Sequence, residues 1–88
     1  MARVFAHKTV EDLAKYSRVP VINGLSDFEH PTQIVGDMVT VKEKFGYFKG
    51  LKFSFIGDGN NVANSIAFAG AKLGMHVVVA SPKGYELQ

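Results

Sequence analysis

Four short stretches that favour extended backbone alternate with three stretches of helical periodicity, and this alternation constrains the fold more than any other feature of the chain. Arg3–Phe5 is apolar-rich and reads as a strand end. Val10, Leu13, Ala14 and Ser17 share one face, so the spacing predicts a helix from about Val10 to Tyr16, with Thr9 as its N-cap. Val19–Ile22 is β-branched and apolar, with Pro20 tolerated near a strand start. Asn23–His30 holds Asn-Gly, Ser-Asp and two acids, Asp27 and Glu29, and reads as loop.

Pro31 then stands where a helix would begin, since its missing N–H costs little in a first turn. Ile34, Val35, Met38, Val41 and Phe45 follow at helical spacing until Gly46. Leu51, Phe53 and Phe55 alternate with Lys52 and Ser54, which predicts a strand through Ile56. Gly57-Asp58-Gly59-Asn60-Asn61 is a tight polar loop. Val62, Ala63, Ile66, Ala67, Ala69, Gly70 and Leu73 form a small-residue helix face, and Gly74 suits the residue after its C-cap. His76–Ala80 contains the run Val77-Val78-Val79, the pattern of a strand buried on both faces of a parallel sheet. Ser81–Gly84 is turn.

Strands joined through helices make right-handed crossovers and lie parallel. The expected class is therefore α/β: a small parallel sheet of about four strands flanked by helices, a half-Rossmann or flavodoxin-like three-layer arrangement, formed by residues 1–88 as a single unit. An 88-residue chain suffices for one small domain and not for two.

Composition narrows the function classes. The chain has no apolar run long enough to span a membrane. It has no cysteine, which excludes disulfides, thiolate metal sites and cysteine nucleophiles and is consistent with a cytoplasmic protein. The net charge of +2 comes from ten scattered Lys and Arg, not from a basic patch interleaved with aromatics, so nucleic acid is not an expected partner. No cluster of His, Asp and Glu has metal-ligand spacing, and no metal is expected. No serine shows a recognisable histidine and acid, and His7 and His76 stand isolated.

In an open parallel sheet ligands bind beyond the carboxyl ends of the strands. Three loops fall there: 23–33, 57–61 and 81–84. The second joins a strand to a helix and can be read as a phosphate-binding turn or as a plain tight turn with an Asn cap. It lacks the third glycine of the dinucleotide fingerprint, because position 62 is Val, and it has no P-loop Gly-Lys-Ser or Gly-Lys-Thr. In the first loop, His30-Pro31-Thr32-Gln33 opens a helix. His30 and Gln33 are three apart, so both can point from the first turn toward one place, where imidazole and amide groups could donate to a carbonyl oxygen. The plainer reading is an exposed histidine at a helix start.

His30-Pro31-Thr32-Gln33 resembles the carbamoyl-phosphate signature of the aspartate and ornithine carbamoyltransferases. Ala2-Arg3-Val4-Phe5 and Val21-Ile22-Asn23-Gly24-Leu25-Ser26-Asp27 resemble the segments that precede it in the ornithine enzymes. Lys49-Gly50-Leu51-Lys52, Gly57-Asp58-Gly59-Asn60-Asn61-Val62, Ala71-Lys72-Leu73-Gly74-Met75 and Pro82-Lys83-Gly84-Tyr85-Glu86 continue the likeness without a gap. The Asp-Gly-Asn-Asn loop is the part that separates the ornithine enzymes from the aspartate enzymes.

The resemblance implies transfer of the carbamoyl group of carbamoyl phosphate to the δ-amino group of ornithine, giving citrulline and phosphate in arginine biosynthesis, without a cofactor. It implies that Arg3, His30 and Gln33 hold carbamoyl phosphate, that His30 is the catalytic donor to the carbonyl oxygen, and that Asn61 binds the amino-acid end of ornithine. It implies a boundary near 46–50, with 1–45 the end of the carbamoyl-phosphate domain plus a connecting helix, and 51–88 the start of the ornithine domain. The family's Ser-x-Arg-Thr-Arg loop and its downstream Ser-Met-Gly and His-Cys-Leu-Pro segments have no counterpart among these residues. The chain is accordingly expected to be an excised or engineered α/β segment, inactive alone and self-associating as a homodimer. The alternative expectation is a weak binding module for small anions or phosphate ligands.

Overall fold

The boundaries of the elements follow from a few residues whose backbone preferences leave little choice. The structure, a computed structural model, describes residues 1–87. Pro31 opens a helix that runs to Phe45, and Gly46 closes it in the left-handed conformation at φ 81°. Gly74 ends the next helix in the same way at φ 72°. A side chain at either position would meet the Cβ penalty that makes glycine the usual residue there.

The order is β1 (Ala2–Arg3), α1 (His7–Tyr16), β2 (Asn23–Leu25), α2 (Pro31–Phe45), β3 (Lys52–Ile56), α3 (Asn61–Leu73) and β4 (His76–Ala80). Strand and helix alternate as the sequence predicts, and both strand pairs are parallel. The α/β class holds. The four strands do not merge into one sheet, however. They form two separate two-stranded sheets, β1–β2 and β3–β4. The reason lies between them: the polar loop 26–30 occupies the seam, and its backbone is bonded to α3 side chains, so no strand edge of the first sheet reaches the second.

Two local expectations also change. The second strand lies at Asn23–Leu25, within the segment read as loop, while Val19–Ile22 precedes it. Its pairing is backbone-driven: Ala2 N–H donates to Ile22 O and Val4 N–H to Leu25 O. The first helix begins at His7, so Thr9 lies inside it and not at its cap.

The main core gathers Ile34 and Met38 of α2, Ile66 of α3 and Met75, with Phe53, Phe55 and Val77 packed against them. The apolar stripes of α2 and α3 thus meet each other and one face of the β3–β4 sheet. That sheet is covered on one face only. Val77 and Val79 turn inward, whereas Val78 is 47% exposed, so the valine run is not buried on both sides. Gly70 allows the closest approach of α3 to β4, because a Cβ there would overlap a methyl group of Val77. α2 contacts both β2 and α3 and so ties the two halves together.

Candidate functional site

The loop between β2 and α2 lies at the carboxyl end of β2, and the loop 57–61 lies at the carboxyl end of β3. α2 and α3 each begin at this same edge, so both helix N-termini and their free N–H groups are gathered there. Three hydrogen bonds sew the first of these loops to the start of α3. Asn61 Nδ2 donates to Ser26 O at 2.7 Å, Asn64 Nδ2 donates to Phe28 O at 3.0 Å, and His30 N–H donates to Ser65 Oγ at 2.8 Å. Residues 35 positions apart are thereby fixed against each other, which places His30 and Asn61 at one junction.

His30 is half-buried at the N-cap of α2, and its Nδ1 is buried with no hydrogen-bond partner among the described residues. Asn61 is half-buried, and both ends of its amide are engaged: Nδ2 on Ser26 O, and Oδ1 accepting from Val62 N–H at 2.9 Å. Gln33 is exposed, and its Nε2 donates to Asp37 Oδ1 at 3.0 Å, one turn along α2. Arg3 is exposed on β1, in register with Leu25. The structure thus holds the loop that ends at His30 against the start of α3 that bears Asn61, while the Gln33 side chain lies along its own helix and Arg3 stands exposed on β1.

The loop 57–61 does not offer an open anion cradle. Gly57 N–H donates to Ala80 O at 2.9 Å, Gly59 N–H to Tyr85 O at 2.7 Å, and Asn60 N–H to Asp58 O at 2.8 Å. Gly59 is buried beneath the segment 86–87, whose backbone would collide with any Cβ at that position. Three of the loop's backbone donors are thereby taken by carbonyl groups of the chain itself.

His7 is the residue that sequence reasoning missed. Far from isolated, its Nδ1 lies 2.8 Å from Ser26 Oγ, its backbone N–H donates to Asp27 Oδ1 at 2.9 Å, and its ring meets Phe28 edge-on at 5.4 Å. Glu11 and Glu29 carboxylates lie 3.8 and 4.0 Å from its Nε2. Ser26 is fully buried, so this serine and histidine form a structural clasp and not a nucleophile open to substrate. Nothing in a separation of 19 residues signals that contact.

Two family models divide the chain. One, described as the aspartate/ornithine carbamoyltransferase carbamoyl-P binding domain, matches residues 1–43, and the other, the Asp/Orn binding domain of the same enzymes, matches 49–88. The chain belongs to the aspartate/ornithine carbamoyltransferase family. Among curated relatives, the ornithine carbamoyltransferase of Thermococcus kodakarensis is 65% identical over 86 residues, which are 98% of this chain and 27% of that protein. That of Pyrococcus horikoshii is 64% identical over the same share of each. The solved structure of ornithine carbamoyltransferase from Pyrococcus furiosus superposes on all of the chain with a TM-score of 0.97 at 62% identity, over 28% of its own length. The Thermus thermophilus enzyme gives 0.96 at 52% identity, covering 99% of this chain and 30% of that one. The chain therefore spans a little over a quarter of the length of the curated relatives it matches. The two halves that the family models match meet at the 26–30 loop, where the Ser26, Phe28 and His30 backbone bonds Asn61, Asn64 and Ser65.

Proposed function

We propose that these residues form the central segment of an ornithine carbamoyltransferase, in which one polypeptide carries carbamoyl phosphate on the 1–45 side, ornithine on the 51–88 side, and a boundary at 46–50. The observation that carries this reading is the junction of His30 with Asn61 through the 26–30 loop. It would put the carbamoyl-handling and amino-acid-handling groups on facing edges of two small sheets. Arg3 would give charge-assisted bonds to carbamoyl phosphate, and Gln33 would join it by leaving Asp37.

In the reaction, the neutral δ-amino nitrogen of ornithine forms a bond to the carbamoyl carbon, and the carbon–oxygen bond to phosphate breaks. The amine loses a proton and phosphate leaves with its bonding electron pair. Negative charge builds on the carbonyl oxygen as the carbon becomes tetrahedral. A His30 ring N–H fixed at the start of α2 would donate to that oxygen, and a fixed donor stabilises developing charge without reorganising. Asn61 would bind the amino-acid end through the amide N–H that Ser26 O does not take.

Taken alone, the 88 residues lack most of the oriented charge that carbamoyl transfer demands, and we expect them to bind carbamoyl phosphate in about the millimolar range, the strength of a few charge-assisted contacts. The homodimer expected from the sequence finds support in an apolar groove of about 680 Å³ between α2 and α3, where Val35 is 65% and Phe68 48% exposed. Titration of the chain with carbamoyl phosphate, followed by NMR, tests the binding roles. The largest shifts are expected at Arg3, His30 and Gln33. Shifts confined to the 57–61 loop would favour the small-anion module instead.

A further inference from the structure

Ser26 is the only fully buried polar residue of the 26–30 loop among the described residues, and four groups converge on its hydroxyl. Glu29 N–H donates to Oγ at 3.1 Å and Asn23 Nδ2 donates to it at 3.3 Å. Those two donors fill the two lone pairs of a hydroxyl oxygen. The hydroxyl proton then has two acceptors within reach, His7 Nδ1 at 2.8 Å and Glu29 O at 3.2 Å. The shorter one is His7. The two carboxylates near Nε2 favour the tautomer with its proton on Nε2, which leaves Nδ1 as the acceptor.

The same residue presents its carbonyl oxygen to Asn61 Nδ2 at 2.7 Å. A carbonyl held by its own clasped side chain is a fixed reference point, and the Asn61 amide is oriented against it. With Nδ2 on Ser26 O and Oδ1 on Val62 N–H, the amide plane is set from both ends. His7 stands on the opposite side of Ser26 from Asn61 in this chain of contacts, at the start of α1. His7, Ser26 and Asn61 thus link α1, the 26–30 loop and α3 in series.

We propose that Ser26, held by His7, is a positioning residue for Asn61 and, through it, for the amino-acid substrate. Its role rests on the carbamoyltransferase reading, in which Asn61 meets ornithine. Neither Ser26 nor His7 touches substrate. Their effect is to keep the Asn61 amide turned to the orientation in which one N–H remains fixed and the rest of the group faces the site. Loss of the clasp frees the Ser26 carbonyl to move and the Asn61 amide to rotate, which weakens ornithine binding while leaving the carbamoyl-phosphate groups on α2 and β1 in place.

The test uses a hybrid in which these residues replace the matched segment of the Pyrococcus furiosus relative, assayed for citrulline formation with each substrate varied in turn. Ser26→Ala and His7→Leu are expected to raise the KM for ornithine roughly tenfold, the scale of one lost hydrogen bond. The KM for carbamoyl phosphate should stay within about twofold, since no carbamoyl-phosphate contact is removed. His7→Asn keeps an acceptor oxygen near the place of Nδ1 and should restore most of the ornithine affinity that His7→Leu loses. If Ser26→Ala does not fold, the Leu and Asn pair at His7 carries the test alone. Equal changes in both KM values, no change in either, or an Asn variant as impaired as the Leu variant would overturn the proposal. An unmutated hybrid that makes no citrulline would overturn the carbamoyltransferase reading itself, and the positioning role with it.

Discussion

The backbone N–H of His30 donates to the hydroxyl of Ser65 at 2.8 Å, across the seam between the two sheets. Ser65 is buried on α3, and His30 is the N-cap of α2, whose own side chain makes no capping bond. A side chain from one helix therefore satisfies a backbone donor at the start of another, where helix geometry supplies no partner.

Ser65→Ala leaves that half-buried donor without its partner. The expected loss is about 1 kcal/mol of stability, the low end of the cost of an unsatisfied polar group, despite the better helix propensity of alanine. Urea unfolding measures it directly. A loss below about 0.3 kcal/mol would mean that the seam is not held by this bond.

The ends of α2 and the C-terminal end of α3 were legible in the sequence because Pro31, Gly46 and Gly74 permit few backbone states, and β4 was legible through its valine run. The apolar stripe of α2 was only partly so: Ile34 and Met38 are buried, but Val35 and Phe45 are 65% and 56% exposed, because α3 and the β3–β4 sheet cover one side of the helix alone. β2 was hidden because Asn-Gly favours turns, and here the pull of a parallel partner strand overrides that local preference. Of the site, the His30–Gln33 motif was visible as spacing. The His7–Ser26–Asn61 series was not, because it depends on contacts between residues 19 and 35 positions apart that no local pattern encodes.

Gly70 and Val77 offer a second check on packing. A Cβ at Gly70 would overlap a Val77 methyl, so Gly70→Ala is expected to destabilise by about 1–3 kcal/mol through overpacking. Val77→Ala on its own should also destabilise, by leaving a void. Combined, the two should cost clearly less than their sum, because the new methyl enters the space that the valine vacates. A double-mutant cycle that proves additive would show that α3 and β4 do not meet at this contact.

The turn that covers the 57–61 loop carries a pH dependence. Glu86 has its carboxyl held below the usual range by its own backbone N–H and then by Gly84 N–H, which donates to Oε2 at 2.9 Å. A carboxyl whose folded pKa is depressed adds stability that is present above its unfolded value near 4.5 and is lost as pH falls through the folded value. Because the group is exposed, the effect is local. The Gly84 amide resonance should move as pH drops below 4.5, and Glu86→Gln should remove most of that movement. An unchanged Gly84 titration in the Gln variant would assign it to another group.

The most direct measurement is citrulline formation by the hybrid enzyme that carries these residues within the Pyrococcus furiosus relative, set beside the 88-residue chain alone. The hybrid is expected to turn over ornithine and carbamoyl phosphate, His30→Ala in it is expected to lose about two to three orders of magnitude in kcat, the scale of one oxyanion donor, and the isolated chain is expected to make no measurable citrulline. A correctly folded hybrid without turnover, or one indifferent to His30→Ala, would contradict the assignment of these residues to carbamoyl transfer.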